Sequence, residues 1–362
     1  MSSPSEDAFY MARAIQLAKK GRYTTDPNPR VGCVLVRNGE VIGEGWHAKT
    51  GLGHAEVEAL KNVQDARGAT AYVTLEPCSH HGKTPPCSDA LITAGVSRVV
   101  VAMQDPNPLV SGRGLEKLKA AGIKVSCGVL EEDALALNRG FIKRVTVTRP
   151  FVRSKLAMSL DGRTAMASGE SKWITSAEAR ADVHRLRAES SAILTGINTV
   201  LADDPALNAR VAWDVVQPVR VVLDSALNMP VTAKMAKLAG RSLILTCSQD
   251  EQKRQALQAA GFEVYTLADK NGRLDLSAVM AFLAQQQINE LLVEAGSIIN
   301  GALLAEGLVD EWVVYMAPCI LGDQGRGLFT VPGLQHMADK KTLHVSDVRQ
   351  IGPDIKLTLT AS

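Results

Sequence analysis

Four side chains early in the chain have the types and spacing for metal chemistry: His54, Glu56, Cys78 and Cys87. One imidazole and two thiolates are three zinc ligands, and three protein ligands leave the fourth tetrahedral position to water, the pattern of a catalytic site. Zinc lowers the pKa of such a water toward about 7, so hydroxide is available at neutral pH. Glu56 follows His54 by two residues, close to the metal but free not to bind it. A carboxylate there can take the proton of the attacking water and pass it to a leaving amine. HAEVEALKNV (54–63) has helical period and puts His54 at a helix start. AYVTLEPC (71–78) reads as a strand stopped by Pro77, with Cys78 opening the next segment, where helix-terminal amides favour a thiolate.

H-x-E followed by P-C and a second Cys is the signature of zinc nucleobase deaminases. This chain departs from it in one spacing: SHHGKTPP (79–86) separates the two cysteines, where the signature has two residues. The insertion leaves alternatives open. His80 or His81 is a possible ligand, or the site is a closed structural zinc, in which case Glu56 has no task. Cys33, Cys127, Cys247 and Cys319 lie in or beside apolar segments and read as core thiols.

The elements that must position these groups fall into two halves, as 362 residues suggest. Residues 6–20 form an amphipathic helix, and VGCVLV (31–36) and VIGEGW (41–46) flank RNGE as a hairpin. Helices and strands then alternate to about residue 145, which indicates an α/β layered domain. The pattern restarts near Thr146–Pro150, so the expected domains are 1–147 and 148–362. FVRSKLAMSLDGRTAM reads as a second hairpin turning at Asp161-Gly162, a type I′ signal. SAEARADVHRLRAES is a helix capped by Ser176. Apolar strands at 191–196, 219–225, 242–247 and 290–296 alternate with helices, and two strand-like segments close the chain. That order predicts a mostly parallel sheet with an antiparallel edge.

Several loops carry further candidates. Asn28, between Pro27 and Pro29, sits where a rigid loop can hold its amide toward a base edge; its ordinary alternative is turn capping. His47 follows the second hairpin strand, and Lys83 sits in the insertion, suited to a phosphate or ring oxygen. Asp105 and Asn107 follow a buried strand, where ligand crevices form, although both are also common turn residues. The loop Ala295–Gly301 is a glycine turn opening a helix, which offers amides and a positive dipole end to a pyrophosphate. No G-x-G-x-x-G fingerprint occurs.

Composition excludes several classes. Forty Lys+Arg against 38 Asp+Glu give a net charge of +2, which argues against a basic nucleic-acid coat and against an acidic disordered tail. Only 4% of residues are aromatic, few for a protein that stacks on bases. No apolar run is long enough to span a bilayer, and MSSPSEDAFY has neither the basic nor the apolar part of a signal peptide. The expectation is a cytoplasmic protein with no membrane or nucleic-acid partner.

TLEPCSHHGKTPPC (74–87), TTDPNPRVGCVLV (24–36) and MQDPNPLVSGRG (103–114) together resemble the bifunctional riboflavin-biosynthesis deaminase-reductases. In the second half KLAMSLDGRTA (155–165), GESKWIT (169–175), TVLADDPALNAR (199–210), VVLDS (221–225) and VEAGSIINGALL (293–304) look like the reductase part, so the resemblance spans essentially the whole chain. It implies an N-terminal cytidine-deaminase-like α/β/α domain and a C-terminal dihydrofolate-reductase-like domain. The first would hydrolyse the 2-amino group of 2,5-diamino-6-(5-phospho-ribosylamino)pyrimidin-4-one. The second would use NADPH to reduce the ribosyl chain to ribityl.

Residue by residue, the resemblance implies zinc on His54, Cys78 and Cys87, and Glu56 as proton shuttle. It implies substrate contacts at Asn28, His47, Lys83, Asp105, Asn107, Ser171, Arg187, Leu207, Arg210 and Glu294, with the two arginines clamping a 5′-phosphate. Lys155, Asp203 and Glu294 would stand near the reductive centre. Ala157, Trp173, Thr199, Asp203, Ser225 and the run Gly296, Ser297, Ile298, Ile299, Asn300, Gly301 and Ala302 would contact the nucleotide. Trp173 has a core residue as its alternative. By the same analogy the chain forms a homodimer through the reductase half. The rival readings are a nucleic-acid deaminase with an accessory domain, which needs a basic groove and stacking aromatics, and a non-catalytic zinc protein.

Overall fold

The computed structural model describes residues 4–79, 85–108 and 110–361. His80, His81 and Lys83 lie outside them. The chain separates into two compact units, Met1–Val147 and Thr148–Ser362.

The first unit runs α1 (Pro4–Lys19), β1 (Gly32–Arg37), β2 (Glu40–Trp46), α2 (Ala55–Leu60), β3 (Thr70–Val73), α3 (Cys87–Thr93), β4 (Arg98–Val101), α4 (Arg113–Ala120), β5 (Lys124–Cys127), α5 (Glu131–Leu137) and α6 (Arg139–Val147). Its five-stranded sheet has the order β2-β1-β3-β4-β5, with β3, β4 and β5 parallel and β1 antiparallel to both neighbours. Asn38 and Gly39 both adopt left-handed backbone, as the tight turn between β1 and β2 requires.

Strand residues alternate between two apolar cores, so helices cover both faces. Cys33, Leu35, Ala71, Val73, Val99 and Val101 pack with Ala55, Ala59, Leu91 and Leu118 of α2, α3 and α4. Val34, Val36, Tyr72 and Val100 pack with Met11, Ala14 and Ile15 of α1 and Ala134 of α5. A Cβ on Gly45 would lie 2.3 Å from the Ala55 oxygen and the Ala59 nitrogen. Only a glycine lets α2 rest on the β2 backbone, and that contact brings His54 down to the sheet.

The second unit contains β6 (Phe151–Ser159), β7 (Arg163–Ala165), α7 (Ala177–Glu189), β8 (Ala192–Gly196), α8 (Ile197–Asp203), β9 (Val219–Leu223), β10 (Ser242–Thr246), α9 (Glu251–Ala259), β11 (Glu263–Thr266), β12 (Asp269–Lys270), β13 (Arg273–Leu274), α10 (Leu276–Gln285), β14 (Glu290–Val293), α11 (Ser297–Ala305), β15 (Glu311–Ala317), β16 (Arg326–Gly327), β17 (Leu343–Ile351) and β18 (Asp354–Ala361). Nine strands form one sheet, β11-β10-β9-β8-β14-β6-β15-β18-β17. The first seven are mutually parallel, and β18 and β17 make the antiparallel edge, as the strand and helix order predicts.

Three local expectations are corrected. Residues 151–166 are not a paired hairpin: β6 is hydrogen-bonded on both sides, to β14 and β15, and β7 pairs with β16 instead. At the turn Gly162 has φ +74 while Asp161 does not have positive φ. The Asp161 carboxylate accepts the Leu321 and Gly322 amides, so this turn is fixed by a distant loop. EEDALALNRGFIKRV (131–145), which the sequence predicts as one closing helix, breaks at Asn138, whose side chain exchanges two hydrogen bonds with the Arg30 main chain. Of the four cysteines read as core thiols only Cys33 is buried. Cys127 is exposed, and Cys247 and Cys319 are half-buried.

Candidate active sites

In the first unit three elements converge. His54 is the residue that caps α2, Cys78 lies five residues past the end of β3, and Cys87 is the first residue of α3. The His54 imidazole and the two sulfurs have their ligand atoms within 4.8 Å of one another. His54 Nδ1 stands 3.2 Å from Cys87 Sγ and 3.7 Å from Cys78 Sγ. Zn–S bonds of about 2.3 Å and Zn–N bonds of about 2.0 Å at tetrahedral angles put N···S at roughly 3.5 Å, so the donor set fits a zinc ion. The helix amide expected to favour a thiolate at Cys78 comes from the other cysteine: the Cys87 main-chain N–H donates to Cys78 Sγ at 3.3 Å. The thiol of Cys87 also donates to Cys78 and holds it down to about 4, while Cys87 itself is pushed up by that bond and by burial. A divalent cation would take both sulfurs as thiolates.

Glu56, one residue into α2, is only 3% exposed. Burial pushes its carboxyl up to about 6, opposed by its own main-chain amide. Two loop residues extend the site. His47 Nδ1 lies 3.1 Å from the Gly53 carbonyl, which can only accept, so that nitrogen carries the proton. Burial lowers the pKa of this imidazole, so the ring is neutral and Nε2 accepts from Asn28 Nδ2 at 3.2 Å. The His47 ring packs edge-on against His54, with centroids 5.5 Å apart. Asn28, His47 and His54 are thus contiguous.

Asp105 and Asn107 are held by a residue that the sequence reading missed. Glu76, buried just before Pro77-Cys78, accepts the main-chain N–H groups of Asp105, Gly112, Gly114 and Leu115 at 2.8–3.4 Å. Three of these belong to the start of α4, so Glu76 caps that helix from the loop after β3. Asp105 in turn accepts the Asn107 amide at 2.8 Å. The signal in the sequence was an acid two residues before a candidate ligand, in Glu76-Pro77-Cys78.

In the second unit the parallel strands end at one edge of the sheet, where an α/β fold forms its crevice. The register pairs Val293 with Ser154 and with Leu194. Glu294 and Lys155, each one residue further on, therefore sit side by side. Arg187 on α7 grips Glu294 fork to fork, Nε to Oε1 at 2.6 Å and Nη2 to Oε2 at 2.8 Å. Burial raises the Glu294 carboxyl, but Arg187 and Lys155 outweigh it and the net direction is down. Burial pulls the Lys155 ammonium down, Glu294 opposes and Arg187 adds to the fall. Arg187 Nη1 also donates to the Asn208 carbonyl at 3.2 Å. The phosphate clamp expected of Arg187 is therefore not the arrangement found, because its fork is closed on Glu294. Arg210 is exposed.

The remaining residues are placed as follows. Leu207 adopts left-handed backbone, φ +44, and is buried in the core. Asp203 is exposed at the end of α8 and pairs with Lys172 at 2.8 Å. Trp173 is 70% exposed, which excludes its core alternative, and the Arg180 guanidinium lies 4.5 Å from its ring centroid. Ser171, Ala157, Thr199 and Ser225 are half-buried, and Ser225 accepts the Leu274 amide.

The glycine turn does open a helix: Gly296 caps α11, and a Cβ there would meet nothing within 4 Å. The first-turn amides of α11 have no partner within the helix, so this end suits a pyrophosphate. Gly296 and Ile298 are exposed, and Ser297 and Ile299 half-buried. The later part of the run is corrected. Asn300 is fully buried, donating to the Ala295 and Gly296 carbonyls and accepting from Ser154 Oγ at 2.7 Å. Gly301 packs against the Thr330 backbone, 2.0 Å from a Cβ position, and Ala302 packs on the core. These three hold the turn in place from behind.

Comparisons with known proteins agree with both halves. Residues 4–103 match the family described as the cytidine and deoxycytidylate deaminase zinc-binding region, and residues 150–357 match the RibD C-terminal domain. The riboflavin biosynthesis protein RibD of Escherichia coli K12 is 49% identical over 372 residues, covering 99% of this chain and 100% of that protein. The solved structure of Acinetobacter baumannii RibD, form 2, superposes with a TM-score of 0.94 at 45% identity and covers 100% of both chains. A Thermotoga maritima structure described as a diaminohydroxyphosphoribosylaminopyrimidine deaminase/5-amino-6-(5-phosphoribosylamino)uracil reductase matches at 36% identity and TM-score 0.86, over 99% of both chains. This chain belongs to the RibD family of riboflavin biosynthesis proteins.

Proposed function

We propose that the chain is a bifunctional enzyme of riboflavin biosynthesis, a zinc-dependent deaminase followed by an NADPH-dependent reductase, acting on the diaminopyrimidinone phosphate and then on the aminouracil it becomes. The carrying observation is that His54, Cys78 and Cys87 converge on one point with Glu56 buried beside them. The RibD relatives, matched over almost their whole length, support both activities.

In the deaminase half His54, Cys78 and Cys87 hold zinc, which when bound supplies a water of lowered pKa. Glu56, pushed up to about 6 by burial and still mostly ionised at neutral pH, carries the proton from the attacking water to the departing amino group. Asn28 and neutral His47 contact the pyrimidine edge, and Asp105 and Asn107, on the loop anchored by Glu76, close the other side. Lys83 belongs to the same reading, as a contact to phosphate or a ring oxygen.

In the reductase half NADPH supplies a hydride when bound. The α11 turn at Gly296–Ile299 would receive its pyrophosphate, with Ala157, Trp173, Thr199, Asp203 and Ser225 along the nucleotide. Lys155 holds a proton beside Glu294 at the sugar, and Arg187 keeps Glu294 ionised. Arg210, with Ser171 and the Leu207 main chain, contacts the substrate phosphate end.

A net charge of +2 and few aromatics support a small phosphorylated substrate over a nucleic acid. A homodimer through the reductase half is supported by β17, an edge strand carrying the exposed Val345 and Val348. Cytoplasmic location belongs to the same reading, and no described helix is long and apolar enough to cross a membrane.

The test is Glu56→Gln in the full-length chain. Zinc content and NADPH oxidation with the aminouracil phosphate should stay as in the parent, while ammonia release falls by about 10²-fold or more. Undiminished ammonia release refutes the assignment.

A further inference from the structure

His184 lies on α7 three residues before Arg187, so the two side chains leave neighbouring points of one helix face. Both engage the segment after α8. His184 Nδ1 accepts the Arg210 main-chain N–H at 3.1 Å, and Arg187 Nη1 donates to the Asn208 carbonyl at 3.2 Å. Gln217 holds the residue between them, exchanging two hydrogen bonds with the Ala209 main chain. The segment needs this anchoring, because Leu207 is held at φ +44 with its side chain buried, a conformation that a branched residue keeps only when its surroundings enforce it.

The Arg210 N–H can bond only to an imidazole nitrogen that has no proton. Burial, together with the charges of Arg187 and Arg210, lowers His184 to about 4, with Glu294 opposing. The ring is therefore neutral at working pH. Its Nδ1 lone pair faces Arg210, and the proton is on Nε2. One helix thus ties Glu294, through Arg187, and the start of the Arg210 side chain, through His184, to the same rigid frame.

We propose that His184 is a positioning residue of the reductase-type site: through Nδ1 it fixes the Arg210 main chain and so sets where the exposed Arg210 guanidinium meets a phosphate monoester on the substrate. This rests on the reading above that Arg210 contacts that phosphate.

The experiment compares His184→Asn, His184→Gln and Arg210→Ala in the full-length chain, in the reductase reaction with the aminouracil phosphate and NADPH. Asn places its oxygen close to where Nδ1 stands, whereas Gln places it near Nε2, and the two are similar in polarity and size. His184→Asn should keep the KM for the phosphorylated substrate within about threefold. His184→Gln should raise it about tenfold, the cost of one lost hydrogen bond. The KM for NADPH and the deaminase rate should not change in either. Equal KM values for His184→Asn and His184→Gln, or a parallel rise in the KM for NADPH, overturn the proposal. Should Arg210→Ala leave the substrate KM unchanged, the Arg210 reading itself fails and the proposal falls with it. A rise in Arg210→Ala alongside parental behaviour of His184→Gln removes His184 only.

Discussion

Arg187 and Glu294 meet as two forks, with both side chains largely withdrawn from solvent, at the point where α7 crosses the end of β14. Removing one partner of a buried pair leaves an uncompensated charge, which costs about 3–5 kcal/mol. Arg187→Met and Glu294→Gln should each lower stability, Arg187→Met by about that amount, and combining the two should recover most of the loss. Urea unfolding of the single and double variants checks this. A double variant as unstable as the sum of the singles would show that the two side chains are not coupled.

Zinc removal should uncover a reactive thiolate. Cys78 is held to about 4 by the hydrogen bond from Cys87, so in the chelator-treated protein it is ionised at pH 6. The buried Cys33 thiol is pushed well up and stays protonated there. Iodoacetamide at pH 6 should label Cys78 and spare Cys33, and prior addition of zinc should block the label. Peptide mapping that finds Cys78 equally labelled with and without zinc would count against its role as a ligand.

Glu76→Ala should loosen the loop from Asp105 to Leu115, because four main-chain N–H groups lose their acceptor. Each buried donor left unpaired costs about 1–3 kcal/mol. A loss of about 3 kcal/mol or more is expected by denaturation, with faster amide exchange at Gly112, Gly114 and Leu115. Glu76→Gln keeps one oxygen and should lose roughly half as much. Unchanged exchange at those three amides would remove Glu76 as the anchor.

Asn300 separates a direct cofactor contact from a structural support. Its amide is spent on Ala295, Gly296 and Ser154 inside the fold. Asn300→Ala should lower stability by about 2 kcal/mol, with the loss of buried hydrogen bonds. A direct contact would instead weaken NADPH binding with the thermal midpoint unchanged. Parallel thermal unfolding and NADPH titration distinguish the two.

The zinc cluster, the two halves and the parallel sheet were legible in the chain itself because each is written in local terms. Ligand type and spacing name a metal site, and the alternation of strand and helix periods names an α/β layer. Ser176 was readable as a helix cap for the same reason, since the donor it accepts from, the Ala179 N–H, lies three residues away. Asp161-Gly162 shows where local terms fail: the dipeptide promises a hairpin, but β6 has both edges taken by β14 and β15, and Asp161 answers to residues near 321. Folding alone decided what each polar side chain was spent on. Glu76 became a helix cap, Asn300 a buried brace, Arg187 the partner of Glu294 and His184 a neutral acceptor. In each case the partner is a main-chain or side-chain group that burial obliges to pair, and in every one at least one partner is far away in sequence, where no local pattern can name it.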